Sequence, residues 1–410
     1  MSAAIPLTEA RDLRTGRVPW RESDWRSPPA SPLPATDVDI AILGSGIMGS
    51  VLAERLARGG RTVALCDRRP PATGSTAAST AQIMWAMDVP LISLAREVGE
   101  EEAAIRWRRV FAAVERFGTH LDGLDASLKT DGPTVYLAGG LLDSSGLEAE
   151  AGLHRQHGLP SEFLPAAAVA ERFGIAPRAG IVSTGTYAID PVRTCHALLA
   201  RAQAHGCTLS YPVDIVALHP STRGVELETA EGHRFTAKDV ILATGYERAR
   251  LFLPPAFSLL STYVIATRPG VAPLWAEDAM IWEANDPYLY VRSCSEGRII
   301  AGGEDVDFSQ AETRDDLLEA KAGKIAARLA ATLGCEQIDW DCAWTATFGS
   351  SPDGLPAIGP VQSMEHVWIA AGFGGNGIAF AALAAELLET ALAGNRDRDA
   401  RCFDPYRFRD

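Results

Sequence analysis

The hydrophobic residues of this chain fall into short runs that end in turn residues, with longer helical periodicities between them. Apolar runs at Asp39–Leu43, Thr62–Cys66 and Asp239–Ala243 have the length of strands, and each is followed by glycine, aspartate or threonine. Such continuous runs are typical of parallel sheets, whose strands are buried on both faces. Val367–Ala371 predicts a further strand, and the apolar segment Gly377–Leu392 predicts a helix after it.

Other segments alternate in polarity, which predicts strands with two different faces. Val213–Leu218 and Gly224–Thr229 predict a small meander. Tyr263–Thr267, Tyr288–Arg292 and Arg298–Gly302 carry β-branched and aromatic residues at alternate positions, which predicts an antiparallel sheet with one face open to water.

Two longer segments have apolar residues at helical spacing. Glu100–Gly118 and Arg314–Leu333 are therefore predicted to be amphipathic helices.

One strand–turn–helix–strand unit carries a recognisable ligand-binding pattern, VDIAILGSGIMGSVLAERLARGGRTVALCD, at Val38–Asp67. Gly44 permits a tight turn, Gly46 lets the backbone approach a pyrophosphate, and Gly49 lets the helix pack closely on the strand. The helix N-terminus offers free N–H groups to phosphate, and Asp67 would accept a hydrogen bond from a ribose hydroxyl. The spacing predicts a dinucleotide site; the alternative is a βαβ unit whose glycines serve its turns alone.

Composition excludes several other classes of function. The net charge is −14 with no block of lysine or arginine, which argues against nucleic acid or an anionic membrane surface as a partner. The seven cysteines include no CxxC pair, and none of the eight histidines lies in a metal-binding motif, so no metal is expected and a reducing cytoplasm fits best. Residues 367–385 are uncharged, but four glycines and Asn376 interrupt them, so no membrane span is expected.

The predicted fold class is α/β, with a Rossmann-type nucleotide-binding domain of discontinuous segments and an inserted α+β domain built on an antiparallel sheet. Residues 1–35 are expected to form an extended N-terminal arm. The nucleotide-binding domain is assigned to residues 36–95, 188–250 and 340–410. The substrate domain is assigned to residues 96–187 and 251–339. Ligands commonly bind in the cleft between such domains.

Three motifs together carry a family resemblance. After Asp67 the chain continues RRPPATGSTAASTAQIMWAMD, a loop of small residues that suits a second phosphate and a large flat ring. With Ala243-Thr244-Gly245 and the C-terminal AAGFGGNGIAF, the chain resembles the FAD-dependent D-amino acid oxidase superfamily, which includes glycine oxidase, sarcosine oxidase and γ-glutamylputrescine oxidase. The resemblance covers about residues 36–395.

The resemblance implies FAD as the cofactor and assigns a set of residues to it. The glycine turn would hold the pyrophosphate, Asp67 the ribose, and Val213 the adenine, with the loop after Gly74 beside the flavin. The start of the last helix would face the pyrimidine edge, where a positive dipole end stabilises negative charge. The assigned residues are Gly44, Gly46, Ile47, Met48, Gly49, Asp67, Arg68, Gly74, Ser75, Thr76, Ala78, Ser79, Thr80, Val213, Ala243, Thr244, Gly245, Gly375, Asn376, Gly377 and Ile378.

The mode of attachment is also implied by the resemblance. Sarcosine oxidase-like enzymes attach their flavin through a cysteine shortly before a PD-type turn. The matching position here lies near Ala346, and Cys342 is out of register, so FAD is expected to be bound without a covalent bond.

At the substrate end, the basic residues that clamp a carboxylate in relatives are missing. The positions fall on Phe348 and Ala379, and those of the loop arginines fall near Ala81 and Met84. This favours an amine without an α-carboxylate. The candidate catalytic residues are Tyr288, Arg292, Phe348 and Trp85.

Arg292 leaves an alternative open. It is the one candidate that would still bind a carboxylate, or it forms a structural ion pair with Glu304 or Asp305.

The expected function is oxidation of a C–N bond of a small amine to an imine, by hydride transfer to flavin N5. Molecular oxygen or another acceptor would then reoxidise the flavin. A D-amino acid or glycine oxidase-like activity, or a dehydrogenase of that kind, is the alternative within enzymes. A flavin-binding electron-transfer subunit without its own catalysis is the alternative outside them.

Overall fold

The computed structural model describes residues 12–20, 27–247, 249–272, 274–294 and 297–408. Its strands are β1 (Arg14–Gly16), β2 (Val38–Leu43), β3 (Val63–Cys66), β4 (Gln82–Ile83), β5 (Lys129–Asp131), β6 (Thr134–Leu137), β7 (Ser161–Leu164), β8 (Gly180–Ser183), β9 (Tyr187–Ile189), β10 (Thr208–Ser210), β11 (Ile215–Ser221), β12 (Gly224–Thr229), β13 (Arg234–Leu242), β14 (Ser258–Ala266), β15 (Met280–Glu283), β16 (Leu289–Ser293), β17 (Ile299–Val306), β18 (Cys342–Ser350), β19 (Ala357–Pro360) and β20 (Val367–Ala371).

The helices follow the same order. They are α1 (Ile47–Arg58), α2 (Ser75–Ala78), α3 (Leu91–Val98), α4 (Glu100–Asp125), α5 (Ser144–Gln156), α6 (Ala166–Phe173), α7 (Pro191–Ala204), α8 (Ala311–Asp316), α9 (Leu318–Leu333) and α10 (Gly377–Leu392), with short 3₁₀ helices at Ala126–Leu128, Ala249–Phe252 and Arg398–Phe403.

The first large sheet contains the predicted βαβ unit. Strands β10, β3, β2 and β13 run parallel, β20 pairs with β13 in parallel, and the β11–β13 meander extends the edge. Helices α1, α7 and α10 pack together over one face, where Ile40, Ile42 and Leu65 are buried. Buried residues of the other face, among them Ala41 and Val240, form a second core. Burial on both faces explains why these strands are continuous apolar runs.

The second large sheet has nine strands in the order β1-β18-β14-β17-β16-β15-β6-β8-β7. Tyr263 and Ile265 of β14 face α9, where they join a buried cluster with Ile325 and Leu329. Val264 and Ala266 face the opposite way and pack with Trp344 and Ala78. The prediction of a face open to water is therefore wrong for these strands, because side chains on both faces are buried and α2 packs against the second face.

A third, small sheet joins β4, β9 and β5. It connects the loop after the βαβ unit to the segment that leads into α7, since β4 pairs with β9 through Gln82 and Ala188.

The described part of the N-terminal arm is integrated into the fold. β1 pairs with the edge strand β18, and Ser31 N donates to Leu209 O at 2.6 Å beside β10. Residues 1–11 and 21–26 of the predicted arm lie outside the described residues.

Most predicted elements coincide with observed ones. Strand β12, strand β20 and helix α10 have the predicted bounds, and α4 continues beyond Gly118 to Asp125. The predicted helix Arg314–Leu333 is divided at Leu317 into α8 and α9.

Strand β18 pairs across the boundary of the proposed domain division. β18, which the division places with the nucleotide-binding segments, pairs along its whole length with β14 in the nine-stranded sheet. Its alternating sequence CAWTATFGS suits an antiparallel strand better than a buried parallel one.

The helices that the structure describes include none that is both long and apolar enough to cross a membrane.

Candidate active site

A deep cleft is lined by residues from both large sheets and from the loops between them. It encloses about 1920 Å³ of space between protein atoms, open solvent at its mouth included. All the residues assigned to FAD from the sequence line this cleft except Gly49. Tyr288 and Phe348 line it as well.

The glycine turn after β2 is shaped by two close backbone contacts. Gly44 has φ +112°, and a Cβ there would lie 2.4 Å from Ala243 O. A Cβ at Gly49 would lie 1.8 Å from Gly44 O, which explains why this residue is glycine although it does not line the cleft. The turn therefore brings the N-terminus of α1 against the cleft, where Ile47 N donates to Thr76 Oγ1 at 2.9 Å.

Asp67 at the end of β3 organises the turn. One carboxylate oxygen accepts from Ser45 N at 2.7 Å and Ser45 Oγ at 2.9 Å, and the other accepts from Arg69 N at 2.9 Å. Asp67 therefore links the turn before α1 to the segment after β3, and it also lines the cleft.

Arg68 and Arg69 both contact Glu247 at this end. Arg68 lies 2.5 Å and Arg69 lies 2.8 Å from its carboxylate oxygens. Glu247 is buried and lines the cleft, so its charge is compensated by two guanidinium groups that belong to the opposite loop.

The loop from Gly74 to Gln82 carries hydrogen-bonding groups that the protein leaves unused. Ser75 Oγ and both amide atoms of Gln82 are buried and have no hydrogen-bond partner among the described residues. Buried polar groups are normally hydrogen-bonded, so these atoms indicate a bound polar ligand.

Two indole groups fix this loop from behind. Trp344 Nε1 donates to Ala78 O and Trp20 Nε1 donates to Ala77 O, each at 2.9 Å. Because these carbonyls end the short helix α2, the tryptophans hold its remaining residues toward the cleft.

A second helix N-terminus, that of α10, also opens on the cleft. Asn376 Nδ2 donates to Ala86 O at 2.7 Å, and Gly374, with φ +114°, donates its N–H to Gly349 O at 2.9 Å. Gly377 and Ile378, the first residues of α10, line the cleft. The positive end of this 16-residue helix therefore faces the space that the N-terminus of α1 also faces.

Asp88 lies beside the N-terminus of α10. Its Oδ2 accepts from Gly375 N at 2.6 Å, and the side chain is exposed and lines the cleft. Loss of hydration raises the pKa of Asp88, and the hydrogen bond from Gly375 opposes that rise.

Tyr290 of β16 and Tyr288, the residue just before that strand, form the far wall. The rings of Tyr288 and Tyr290 are 5.6 Å apart, and Tyr290 Oη lies 3.2 Å from Thr262 Oγ1. Burial raises the pKa of both phenols, so both are neutral donors at physiological pH.

Behind this wall lies Asp305. Burial raises its pKa to about 6, and hydrogen bonding to Thr262 and Tyr288 opposes the rise. Its Oδ1 is buried without a hydrogen-bond partner in the described chain.

Two predicted catalytic residues lie elsewhere. Trp85 is fully buried and donates to Thr184 O at 2.8 Å, within a cluster that includes Trp107, Phe111 and His154. Its position on the loop after β4 turns it into the helical core instead of the cleft.

Arg292 is the second predicted catalytic residue that lies outside the cleft. It is buried, donates to Ile189 O at 2.9 Å, and stacks its guanidinium 5.4 Å from the Trp20 ring centre. Burial lowers its pKa to about 10. The predicted ion pair with Glu304 or Asp305 is wrong, since Glu304 contacts Lys321 and Arg328 and Asp305 contacts Thr262 and Tyr288.

Several cleft residues had no place in the sequence-based assignment. Gln82 and Asp88 follow the assigned loop within eight residues of Thr80, and Glu247 comes two residues after the Thr-Gly motif, so their neighbourhood was a usable signal. Thr262, which lines the cleft, and Asp305, which lies behind it, carry no such signal, because only the pairing of β14, β16 and β17 brings them together.

The described residues contain no group of three or more histidine, cysteine, aspartate or glutamate side chains able to hold a metal ion.

Comparison with known proteins agrees with this geometry. The sequence profile of the family "DAO: FAD dependent oxidoreductase" matches residues 39–390. The chain is 30% identical over 241 residues to the tRNA 5-methylaminomethyl-2-thiouridine biosynthesis bifunctional protein MnmC of Magnetococcus marinus, covering 57% of this chain and 33% of that protein. It therefore spans about a third of that relative's length.

Two further relatives match along most of their length. The probable oxidoreductase OrdL of Haemophilus influenzae is 21% identical over 397 residues, 92% of this chain and 88% of that protein. The crystal structure of glycine oxidase from Geobacillus kaustophilus superimposes with a TM-score of 0.72 at 20% identity, covering 92% of this chain and 100% of the other. At that identity the superposition shows a shared fold.

Proposed function

Since this chain belongs to the DAO family of FAD-dependent oxidoreductases, we propose that it oxidises a C–N bond of a small amine that lacks an α-carboxylate. When bound, FAD supplies the acceptor for the hydride that leaves the carbon beside nitrogen. The residues of the protein bind the amine, orient it, remove its proton and exclude water.

The cleft fits the cofactor on its own chemistry. Ser75 Oγ and Gln82 are buried donors and acceptors without partners, and two helix N-termini converge on one cavity. Gly44, Gly46 and Met48 would hold the pyrophosphate, and Asp67 the ribose, with Gly375 to Ile378 at the flavin ring.

We further propose that the cofactor is held without a covalent bond. Cys66 is the cysteine among the described residues that lines the cleft, at the Asp67 end. Burial raises the pKa of its thiol to about 12, so it is a poor nucleophile.

The observation that carries the choice of an amine is the charge at the substrate end. Among the described residues, the basic side chains that line the cleft are Arg68 and Arg69, which both contact Glu247 at the nucleotide end. Asp88 and the nearby Asp305 are the charged groups beside Tyr288 and Tyr290. A carboxylate substrate would be repelled there, whereas an ammonium group would be attracted.

Asp305 acts in this proposal as the acceptor of a proton from the substrate. An amine arrives mainly as its ammonium form, which must lose a proton because the nitrogen lone pair assists hydride departure. Tyr288 stands between the cleft and Asp305, so its hydroxyl passes that proton to the carboxylate. Phe348 and Trp282 line the same end and reduce its contact with water.

The test is anaerobic addition of substrates to the flavin-loaded protein, followed by its visible absorption. Primary and secondary amines are expected to bleach the flavin, whereas glycine, sarcosine and D-amino acids leave it oxidised. Bleaching by amino acids alone would reject the proposal in favour of an amino acid oxidase. Failure of every substrate, with a flavin that dithionite still reduces, would favour an electron-transfer subunit.

A further inference from the structure

We propose that the substrate carries a second positively charged nitrogen and that Asp88 binds it. This inference rests on the proposed amine oxidation and specifies the class of amine. The reacting nitrogen lies by the tyrosine wall in this arrangement, and the second ammonium lies at the carboxylate of Asp88.

The first argument is that two carboxylates share this end of the cleft without a cation. Asp88 lines the same cleft as Tyr288 and Tyr290, and Asp305 is hydrogen-bonded to Tyr288. Burial raises the pKa of both phenols and of Asp305, and the negative charge of Asp88 adds to that rise. Buried or enclosed charges are normally paired. One ammonium group would compensate one of these acids and leave the other unpaired.

The charged groups around the two acids have other partners. Lys321 faces Asp305 from α9, but its ammonium donates to Glu304 O at 2.7 Å and also contacts the Glu304 carboxylate. The titratable groups that feel the charge of Asp88 are the neutral phenols of Tyr136, Tyr246 and the two wall tyrosines, and the carboxyl group of Asp305. No basic residue of the described chain lines this end.

The second, independent observation is the set of unused polar atoms. Asp305 Oδ1 is buried without a partner, and so is Nε1 of Trp282, a cleft-lining residue only 8% exposed. These atoms indicate that a polar ligand completes the site. Trp282, Tyr288 and Tyr290 also present aromatic rings, which attract organic cations.

An inorganic ion is a weaker explanation. The described residues form no group of three or more metal-ligating side chains, and aromatic rings line the space between the acids. A dication of an organic amine matches both the charges and the apolar wall.

The experiment compares pairs of isosteric substrates on the flavin-loaded protein. Flavin reduction is followed anaerobically by stopped flow at constant ionic strength, with α,ω-diaminoalkanes of three to six carbons and the n-alkylamines in which one ammonium is replaced by methyl. The best diamine is expected to have an apparent dissociation constant at least tenfold below that of its alkylamine. Its N-acetylated derivative is expected to behave like the alkylamine.

The variant D88N assigns the effect to one residue. It is expected to bring the diamine-to-alkylamine ratio close to one, while D307N, the same substitution at an exposed surface acid, leaves the ratio unchanged. Flavin content and the oxidised spectrum are measured for each variant, because Asp88 also accepts the Gly375 N–H.

Equal affinity for diamine and alkylamine in the wild-type protein would overturn this inference and leave amine oxidation standing. An unchanged ratio in flavin-loaded D88N would overturn the role of Asp88. Reduction by amino acids alone would instead reject the proposed function itself.

Discussion

At the scale of single residues, the end of the cleft that carries Tyr288 and Tyr290 has carboxylates at or behind its wall and no basic side chain among the described residues. Asp88 lies at the N-terminus of α10 and Asp305 lies behind Tyr288, whereas Arg292 of β16 donates to Ile189 O. The chemistry of the cleft therefore follows from a few side chains and not from the fold that holds them.

The ionised form of Asp305 should cost the folded protein stability. Its pKa is about 6 when folded and 3.8 ordinarily, so the folded state binds the proton more tightly. The cost is absent below about pH 3.8, grows through pH 6, and reaches at most about 3 kcal/mol above it. D305N is expected to unfold at a higher temperature than wild type at pH 8, with a gap that narrows toward pH 5.

Thermal unfolding of both proteins across this pH range checks the prediction. D307N is the control, because that side chain is exposed and its substitution should shift unfolding equally at every pH. A gap for D305N that does not change with pH would contradict the assignment.

Gly49 is expected to tolerate no side chain. Its substitution by alanine brings a Cβ to 1.8 Å from Gly44 O, which displaces the turn at the start of α1. G49A should lose several kcal/mol of stability and most of its bound flavin. G123A is the matched control, since Gly123 is also helical and a Cβ there meets nothing within 4 Å.

Urea unfolding and flavin content compare the two variants. G123A should be more stable than wild type by about 0.5–1 kcal/mol, because alanine favours a helix. A G49A protein with normal flavin content would show that the turn can relax.

At the scale of elements, β1 and the following Trp20 act as a strap over residues 73–78, most of which line the cleft. β1 joins the edge strand β18, Arg14 donates to Thr73 O at 3.2 Å, and Trp20 donates to Ala77 O. Leu13 also lines the cleft. A segment that precedes the nucleotide-binding unit in sequence thus completes its far side.

The variant W20F tests this strap. It keeps an aromatic ring but removes the N–H that fixes Ala77 O, which is worth about 1 kcal/mol. The dissociation constant of FAD, measured by titration of the apoprotein, should rise about fivefold. W340F, at a half-buried tryptophan packed near α9, should leave FAD affinity unchanged, and equal effects of both would contradict a specific role.

At the scale of the whole molecule, one cleft joins the two sheets. Its lining comes from the ends of the parallel strands, from α2 and from strands of the nine-stranded sheet. A ligand that fills it contacts both sheets and binds the folded state alone, so the sheets should unfold together when it is bound.

FAD is therefore expected to stabilise the protein by an amount that rises with the logarithm of its free concentration. At free FAD 1,000-fold above the dissociation constant, the free energy of unfolding should rise by about 4 kcal/mol. Calorimetry of the apoprotein with increasing FAD measures this rise. Acid precipitation should leave all the flavin in the supernatant, and flavin retained in the pellet would contradict non-covalent binding.

The sequence alone determined the nucleotide-binding half, because its signals are local. Gly44, Gly49 and Asp67 act within one βαβ unit, where spacing fixes which atoms meet, and the bounds of β20 and α10 follow from apolar runs and glycine. The family resemblance extended that local pattern to the loops that complete the same side of the cleft.

The tyrosine-lined end of the cleft was fixed by tertiary packing. Asp305 lies in β17 and Tyr288 just precedes β16, so their contact depends on the register in which these two strands pair. Arg292 and Trp85 had suitable chemistry but face Trp20 and the helical core, since side-chain direction depends on packing between distant segments. Local pattern fixes which residues can bind a nucleotide, whereas long-range packing fixes which charges a substrate meets.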